Sequence, residues 1–274
     1  MNCGADGAVT SPHKLLTGLS QAALLNVRGP WVDSSRLASA VRLTQTTSPL
    51  MPVLASLDAC RRQLALDGRD LLQRTIHLAE RARRDLRQLP GIDVLDALSL
   101  GLPLEQYDAT RLVIDVQGRG LTGYMAEQLL REEFHIAPEM SDRAGIVCLV
   151  TVGDTSESIE RLVRAVASLR LRPAPPTVTT CPRVAGEAIA PGEQALTPRE
   201  AYFAPSRALP LTLAIGEVAA EAVIPYPPGI PVLTPGEVIS PVKVDCLREG
   251  IAAGMHVRGA ADPTLQTVRV VLAP

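Results

Sequence analysis

The sequence predicts an α/β protein, and three observations carry this prediction. The chain has 274 residues and is 46% hydrophobic, which is long enough and apolar enough to bury a core. Residues 110–171 alternate strand-like apolar runs with segments of helical periodicity. Between Ser48 and Leu89 the apolar residues keep helical spacing until Pro90 and Gly91 interrupt it.

The first elements are short. An apolar stretch from Leu19 to Val27 is followed by a Gly29-Pro30 turn. Asp33 is a suitable N-cap for a helix whose apolar residues continue to Leu43. This region is therefore predicted to contain one apolar segment and one short helix.

The next element is a long helix. Ser48 is predicted to be its N-cap and Pro49 its first helical residue, and the periodic pattern runs to Leu89. Basic residues near its end alternate with acidic ones, as on a solvent-exposed helix face. These basic residues are Arg81, Arg83, Arg84 and Arg87.

A small α/β subdomain is predicted after Thr110. Its elements are a strand at Leu112–Ile114, a helix from about Thr122 to Phe134, a strand at Ile146–Val152 and a helix at Ser156–Leu171. Prolines then mark a linker over residues 173–195. From Leu196 the chain alternates short helices and strands, which predicts a separate C-terminal module.

The amino-acid composition of the chain argues against several classes of function. The net charge is -2 and aromatic residues make up 3%, so neither nucleic acid nor an anionic membrane is an expected partner. The five cysteines are far apart and include no C-x-x-C pair, which argues against a disulfide framework or a zinc site. Met1 to Thr10 shows no secretory pattern, and no apolar run approaches a membrane-spanning length. We therefore expect a soluble cytoplasmic protein without a metal.

Lys14 is the first candidate catalytic residue. Only Lys14 and Lys243 are lysines among the 27 basic residues. Lysine can lose its proton when desolvated and form a Schiff base with a carbonyl, whereas the guanidinium of arginine stays charged. Ser11 and His13 add a hydroxyl and an imidazole that can bind a phosphate beside this amine. Pyridoxal phosphate presents both a phosphate and an aldehyde.

Thr46-Thr47-Ser48 is a second candidate phosphate-binding element. If Ser48 starts a helix, free backbone N–H groups there favour an anion. The alternative is purely structural, with Ser48 capping its helix and Lys14 lying on the surface as an ordinary charged residue.

Segments along the whole chain resemble, in order, successive segments of the bacterial ornithine/lysine/arginine decarboxylases, which are fold type I pyridoxal-phosphate enzymes. The cofactor-lysine segment is represented by Ser11-Pro12-His13-Lys14-Leu15-Leu16. The later segments are Gln45–Pro49, Ala55–Ala59, Glu139–Asp142, Thr151–Thr155, Leu196–Ala201, Ile224–Pro231 and Gly259–Leu265. Agreement from end to end is more specific than any single motif.

The resemblance implies roles for particular residues. Lys14 would hold pyridoxal 5'-phosphate as a Schiff base, and Ser11 and His13 would contact the cofactor phosphate. Thr47 and Ser48 would reach the phosphate of a neighbouring subunit's cofactor, which implies a homodimer. The implied reaction is decarboxylation of arginine, lysine or ornithine to the corresponding amine.

The resemblance covers only about the C-terminal half of the family's enzyme. It implies a partial cofactor-binding large domain at residues 1–108, a small α/β subdomain at 109–172, the linker at 173–195 and an α+β C-terminal domain at 196–274. The family's ring-stacking residue and the aspartate that pairs with the pyridine nitrogen precede the lysine and are absent. We expect that another polypeptide supplies this half, or that the chain is a truncated product with little activity.

Two other functions are compatible with the residues. The chain could be a non-catalytic decarboxylase remnant that acts as a dimerisation partner. Gly118, Gly120 and Gly123 also form a literal G-x-G-x-x-G between a predicted strand and a predicted helix, which is a weak indication of a dinucleotide-binding oxidoreductase. The structural alternative is a tight glycine turn followed by an N-cap at Thr122.

Overall fold

The computed structural model describes residues 4–169, 188–226 and 229–272. The chain divides into two compact units that are each discontinuous in sequence. Unit 1 is Met1–Asp85, Gly101–Leu112 and Leu149–Val163, and unit 2 is Leu86–Leu100, Val113–Cys148 and Arg164–Pro274. The domain boundaries predicted above stay a prediction. Linker residues 173–187 and the last two residues of the helix predicted to end at Leu171 lie outside the described residues.

Unit 1 begins with an antiparallel ribbon and a capped helix. Its first elements are β1 (Gly7–Thr10), α1 (Pro12–Leu15), β2 (Leu24–Val27) and α2 (Ser34–Thr44). The register of the β1–β2 ribbon places Gly7 opposite Val27 and Thr10 opposite Leu24. The predicted cap of α2 is confirmed, because the Asp33 side chain accepts hydrogen bonds from the backbone N–H groups of Ser35 and Arg36.

The long helix is confirmed, but its predicted start at Ser48 is wrong. Helix α3 (Met51–Arg87) begins two residues after Pro49, the predicted first helical residue, and the Leu50 carbonyl accepts bonds from Val53 and Leu54. Ser48 instead lies in a turn, and its N–H donates to Oγ1 of Thr46 at 3.1 Å. The threonine hydroxyl offers the backbone a local bond that competes with helix formation, so the first helical turn forms beyond it.

The prediction of an exposed arginine face is wrong for Arg83. This residue is buried, and its Nη2 lies 3.0 Å and 3.2 Å from the carbonyl oxygens of Ala109 and Arg111. The same nitrogen is 3.1 Å from the hydroxyl of Tyr107, whose ring lies under the guanidinium. Arg83 therefore ties α3 to the segment 107–111 through backbone carbonyls, which sequence periodicity does not reveal.

Unit 2 holds most of a four-stranded sheet with the order β3–β4–β6–β5. The strands are β3 (Asp93–Leu95), β4 (Arg111–Asp115), β5 (Met140–Ser141) and β6 (Gly145–Leu149). Helix α4 (Gly123–Phe134) follows β4, and α5 (Ser156–Ser168) follows β6, so the predicted alternation of strand and helix is confirmed. Val94, Ile114 and Ile146 are buried here, because alternate strand residues point to the same face, and Leu130 of α4 is also buried.

The C-terminal part of unit 2, residues 188–272, is called the C-terminal module below. Its elements are α6 (Pro198–Phe203), β7 (Ser206–Pro210), β8 (Ile224–Pro225), α7 (Pro241–Ala252), β9 (Val257–Arg258) and β10 (Thr267–Val271). Strand β7 pairs with β10 and β8 with β9, both antiparallel. Val223, Leu233, Leu247 and Val270 are fully buried in one hydrophobic cluster.

A buried ion pair stabilises the turn before α7. The Lys243 ammonium pairs with the Glu237 carboxylate, and both side chains are buried. Glu237 also accepts hydrogen bonds from the backbone N–H groups of Gly192 and Thr234 and from the Thr234 hydroxyl. These bonds satisfy a charge that would otherwise be costly to bury. The second lysine of the chain therefore has a structural role.

Candidate functional site

The Lys14 segment is a single helical turn that follows β1 directly. Ser11 is the N-cap of α1, Pro12 occupies the first helical position and is buried, and the N–H of Lys14 donates to the Ser11 carbonyl at 3.1 Å. The Ser11 side chain makes no capping bond, so its hydroxyl is not used to satisfy the helix. The turn thus presents a hydroxyl, an imidazole and an amine within four residues.

His13 is held by the chain that leads to β2. Its Nδ1 lies 2.9 Å from the carbonyl oxygen of Ala22, which is buried. Because a carbonyl oxygen only accepts, Nδ1 carries the proton of this bond. Gln21, the residue before Ala22, has φ 75°, and this left-handed conformation bends the chain at that point. The bond fixes the orientation of the imidazole and leaves Nε2 for another partner.

The backbone around Lys14 is anchored by two other segments of unit 1. The carbonyl of Leu15 accepts a bond from the N–H of Val152 at 3.2 Å, and Nη2 of Arg74 donates to the Val152 carbonyl at 2.8 Å. From α3, the hydroxyl of Ser56 accepts a bond from the N–H of Leu19 at 3.1 Å. The Lys14 turn is therefore held by the loop after β6 and by the long helix.

The loop that carries Val152 is itself ordered by side-chain bonds. The carboxylate of Asp154 accepts bonds from the N–H and hydroxyl of Thr151 at 2.8 Å and 2.9 Å. The Ser158 hydroxyl, in α5, donates to the same carboxylate at 2.9 Å. Asp154 thus fixes the loop whose backbone contacts Leu15.

Sequence reasoning assigned no role to Arg74, Ser56 or Val152. Two of them, Ser56 and Val152, lie inside segments that carried the family resemblance. The resemblance to the decarboxylase family was therefore the one signal from which a role for these two residues could have been inferred. The anchoring by Arg74 could not be read from the sequence, because its partner Val152 lies 78 residues away.

Thr47 and Ser48 form a second, separate group. Both side chains are exposed, and the Thr46–Ser48 turn is closed by its own hydrogen bond. The hydrogen bonds described for the Lys14 turn lead instead to Ala22, Ser56 and Val152. Because α3 starts at Met51, an anion at Ser48 would be bound by hydroxyls and turn N–H groups, and not by a helix start.

The glycines of the G-x-G-x-x-G segment have packing roles. A Cβ on Gly118 would lie 2.7 Å from the Gly91 carbonyl oxygen, and one on Gly123 would lie 1.8 Å from that of Gly145. Gly120 has φ 68°, in the left-handed region. Thr122 caps α4 by accepting a bond from the N–H of Met125. These contacts account for the three glycines and the threonine without a bound nucleotide.

Within residues 4–169, 188–226 and 229–272, no group of histidine, cysteine, aspartate or glutamate side chains is arranged to hold a metal ion. None of the helices in these ranges has the apolar length that a membrane crossing requires.

Two family models match the chain. The model for the Orn/Lys/Arg decarboxylase major domain matches residues 5–101. The model for the Orn/Lys/Arg decarboxylase C-terminal domain matches residues 188–249. Together they cover more than half of the sequence, and the first of them contains all five predicted site residues.

Several relatives are similar along nearly the whole chain. Arginine decarboxylases of Halalkalibacterium halodurans and Bacillus subtilis are 38% and 39% identical, over 99% of this chain and 55% of their own length. The constitutive lysine decarboxylase of Escherichia coli is 23% identical over 91% of this chain. The chain spans about half the length of the relatives it matches.

Solved structures show the same fold. The constitutive lysine decarboxylase of Escherichia coli superposes with a TM-score of 0.75 at 20% identity, over 97% of this chain and 49% of that one. The lysine decarboxylase of Francisella novicida gives a TM-score of 0.74 at 22% identity, over 96% and 48%. The α/β fold predicted from the sequence is thereby confirmed as that of one half of such enzymes.

Proposed function

The chain belongs to the Orn/Lys/Arg decarboxylase family, and on this premise we propose that it takes part in pyridoxal-phosphate-dependent decarboxylation of a basic amino acid. The substrate would be arginine, lysine or ornithine and the product the corresponding amine. The observation that carries the proposal is the Lys14 turn, in which Ser11, His13 and Lys14 lie within four residues of one helical turn. This turn lies within the segment matched by the family's major-domain model.

The side chains of the turn have the donor chemistry that the cofactor requires. Lys14 is an exposed residue in this chain, and its amine would bind the cofactor's aldehyde. The Ser11 hydroxyl, which caps nothing, and the oriented His13 imidazole would bind its phosphate. Pyridoxal phosphate, when bound, supplies the electron sink for the charge left by the departing CO2. The bond that Leu15 accepts from the Val152 N–H and the bond that the Leu19 N–H donates to the Ser56 hydroxyl would hold the amine in position.

The proposal also includes a homodimer in the cytoplasm. Thr47 and Ser48 present two hydroxyls on an exposed turn. In this proposal they contact the phosphate of the cofactor held by a second subunit, so the complete site needs both. The net charge of -2 is compatible with a small-molecule substrate.

The remaining catalytic groups would come from the part of the decarboxylase fold that this chain does not span. That part would provide the residue that stacks on the cofactor ring and the acid that pairs with its nitrogen. A second candidate function is that of a non-catalytic dimerisation partner for a longer relative. The exposed apolar side chains of unit 1 favour this alternative, since Trp31 and Leu43 are each 85% exposed.

Cofactor binding tests the proposal. The chain would be mixed with pyridoxal phosphate and with a polypeptide that corresponds to the part of the Bacillus subtilis relative ahead of the matched segment. We expect a visible absorption band from protein-bound cofactor. Lys14→Ala should abolish it, and Lys14→Arg should also abolish it while keeping the positive charge. A band that persists in both variants would reject Lys14 as the cofactor lysine.

A further inference from the structure

The Lys14 turn is too short to hold its own shape. Helix α1 has four residues, and an isolated helix of that length does not form stably in water. The chain after it is irregular up to β2, which starts at Leu24. The bond between Nδ1 of His13 and the Ala22 carbonyl is made within this same stretch of chain. Contacts from other parts of unit 1 are therefore needed to fix the backbone that carries the Lys14 side chain.

One side of the long helix α3 supplies such contacts. It carries three polar side chains, called the α3 row below, which are Ser56, Gln63 and Arg74. At 3.6 residues per turn, Gln63 lies about two turns after Ser56 and Arg74 about five turns after it, so the three residues share one side of the helix. A single rigid element can therefore contact several points along a neighbouring segment.

Two members of the α3 row bind the chain that leaves the Lys14 turn. The Thr17 hydroxyl donates a hydrogen bond to Oε1 of Gln63 at 2.8 Å. The N–H of Leu19 donates to the Ser56 hydroxyl at 3.1 Å. Both bonds join residues that lie more than thirty positions apart in the sequence, so they fix the segment relative to α3 and not merely relative to itself. The residues just after Lys14 are thus tied to the long helix at two points.

Arg74, the third member, reaches the turn itself through the backbone of Val152. Its Nη2 donates to the Val152 carbonyl at 2.8 Å, and the Val152 N–H donates to the Leu15 carbonyl at 3.2 Å. A hydrogen bond from a charged guanidinium is stronger than one between neutral groups. Val152 is buried, so a carbonyl left without its donor there would be costly. Loss of the guanidinium therefore frees the loop that holds the residue next to Lys14.

We infer that Arg74 is a positioning residue for the predicted cofactor lysine, with the rest of the α3 row assisting it. The inference rests on the proposed function, since the position of the Lys14 amine matters only if that amine binds the cofactor. An amine that must meet an aldehyde needs a fixed direction, because small displacements of a reacting group lower its effective concentration steeply. Arg74 acts on this direction through Val152 and Leu15.

A purely structural role for Arg74 predicts a different outcome, in which its loss weakens α3 as a whole. Arg74 is an exposed residue, and the helix continues beyond it to Arg87. Substitutions at exposed helix positions usually change stability little. We therefore expect Arg74→Met to leave α3 folded and to alter the Lys14 turn selectively. Arg69, which is exposed on another side of the same helix, is the matched control.

Amide hydrogen exchange of the 274-residue chain tests these contacts without a cofactor. In Arg74→Met we expect the Val152 amide to exchange roughly tenfold faster, because its loop loses the anchor from α3. Arg74→Lys should restore slow exchange, since an ammonium can donate to the same carbonyl. Arg69→Met should leave the exchange unchanged. Slow exchange of Val152 in Arg74→Met, or an equal acceleration in Arg69→Met, would overturn the inference.

Visible circular dichroism of bound pyridoxal phosphate separates positioning from stability. The absorption band reports that the cofactor is attached, whereas its dichroism reports a fixed orientation. The N-terminal part of the Bacillus subtilis relative would be joined ahead of residue 5, where the major-domain match begins. In this protein Arg74→Met should lose most of the dichroism and bind the cofactor roughly tenfold more weakly. Arg74→Lys should recover both properties, and Arg69→Met should retain them.

The two measurements distinguish failure of this inference from failure of the proposed function. If the absorption band forms and Arg74→Met keeps its dichroism and its affinity, the positioning role is wrong and the proposed function stands. If no band forms with Arg74 in place, the proposed function is wrong. Faster exchange in Arg74→Met would then identify Arg74 as a structural residue only, which also overturns the inference.

Discussion

Helices α2 and α7 are nearly equal in length, 11 and 12 residues, but they differ in what they bury. Helix α2 buries none of its residues, and Leu43 on it is 85% exposed. Helix α7 buries Val244 and Leu247 within the core of the C-terminal module. The module has its own closed core, whereas the region around the predicted catalytic lysine exposes apolar side chains. This contrast shows that the module buries its apolar residues within its own core, whereas α2 leaves its apolar residues exposed.

The largest expected effect of a single substitution lies in the buried ion pair of the module. Glu237→Ala leaves the Lys243 ammonium buried without a partner, so we expect the free energy of unfolding to fall by about 3–5 kcal/mol. Asp58→Ala, which breaks an exposed pair with Arg61, should change it by less than about 1 kcal/mol. Urea unfolding followed by circular dichroism measures both. Equal losses of unfolding free energy in the two variants would contradict the claim that buried groups within the module stabilise it.

A matched pair of leucines tests the comparison directly. Leu247→Ala empties a fully buried position and should cost about 2–5 kcal/mol. Leu43→Ala, on α2, should change the stability of the isolated chain by no more than about 0.5 kcal/mol. The same unfolding measurement applies. A large effect of Leu43→Ala would mean that α2 is covered in solution, contrary to the structure.

Arg83 and its neighbour Arg84 allow a buried and an exposed arginine to be compared within unit 1. Arg83→Ala removes the donor that serves the Ala109 and Arg111 carbonyls, and we expect a loss of about 1–3 kcal/mol. Arg84 is exposed, so Arg84→Ala should be nearly neutral. If both substitutions are neutral, the contacts of Arg83 are not formed in solution.

The smallest expected effect is a loss of stability at low pH. The pKa of Asp262 is lowered from 3.8 to about 2. The largest cause is the hydrogen bond from the Thr264 hydroxyl, and the bonds from the N–H groups of Thr267 and Thr264 add to it. The contribution of Asp262 to stability is therefore complete above about pH 4 and is lost as the pH falls toward 2. A carboxyl titration by NMR should show this, and Thr264→Ala should raise the pKa. Asp33, whose pKa is lowered mainly by the Ser35 hydroxyl, is the counterpart in unit 1.

Local signals in the sequence predicted much of the fold. Asp33 and Thr122 cap helices as expected. An N-cap bond joins a side-chain oxygen to a backbone N–H only two or three residues later, so it depends on the local sequence alone. Ser48 was predicted wrongly because the competing hydroxyl of Thr46 also acts locally and prevails. The burial of Arg83 could not be predicted, since its partners lie 24 to 28 residues along the chain.

The candidate site was predictable in part. The resemblance identified the Lys14 segment, and the structure shows that Ser11, His13 and Lys14 share one helical turn. The anchors from Arg74 and Val152 depend on tertiary contacts that composition and spacing do not encode. The cofactor roles of Ser11, His13, Lys14, Thr47 and Ser48 stay predictions.

The most direct test of the central claim is chemical labelling of the two lysines. Borohydride reduction fixes pyridoxal phosphate on the amine that holds it, and peptide mass spectrometry then identifies the residue. With the N-terminal part of the relative joined ahead of residue 5, we expect the label on Lys14 and none on Lys243, which is buried in its ion pair with Glu237. Absence of label from Lys14 would contradict its assignment as the cofactor lysine.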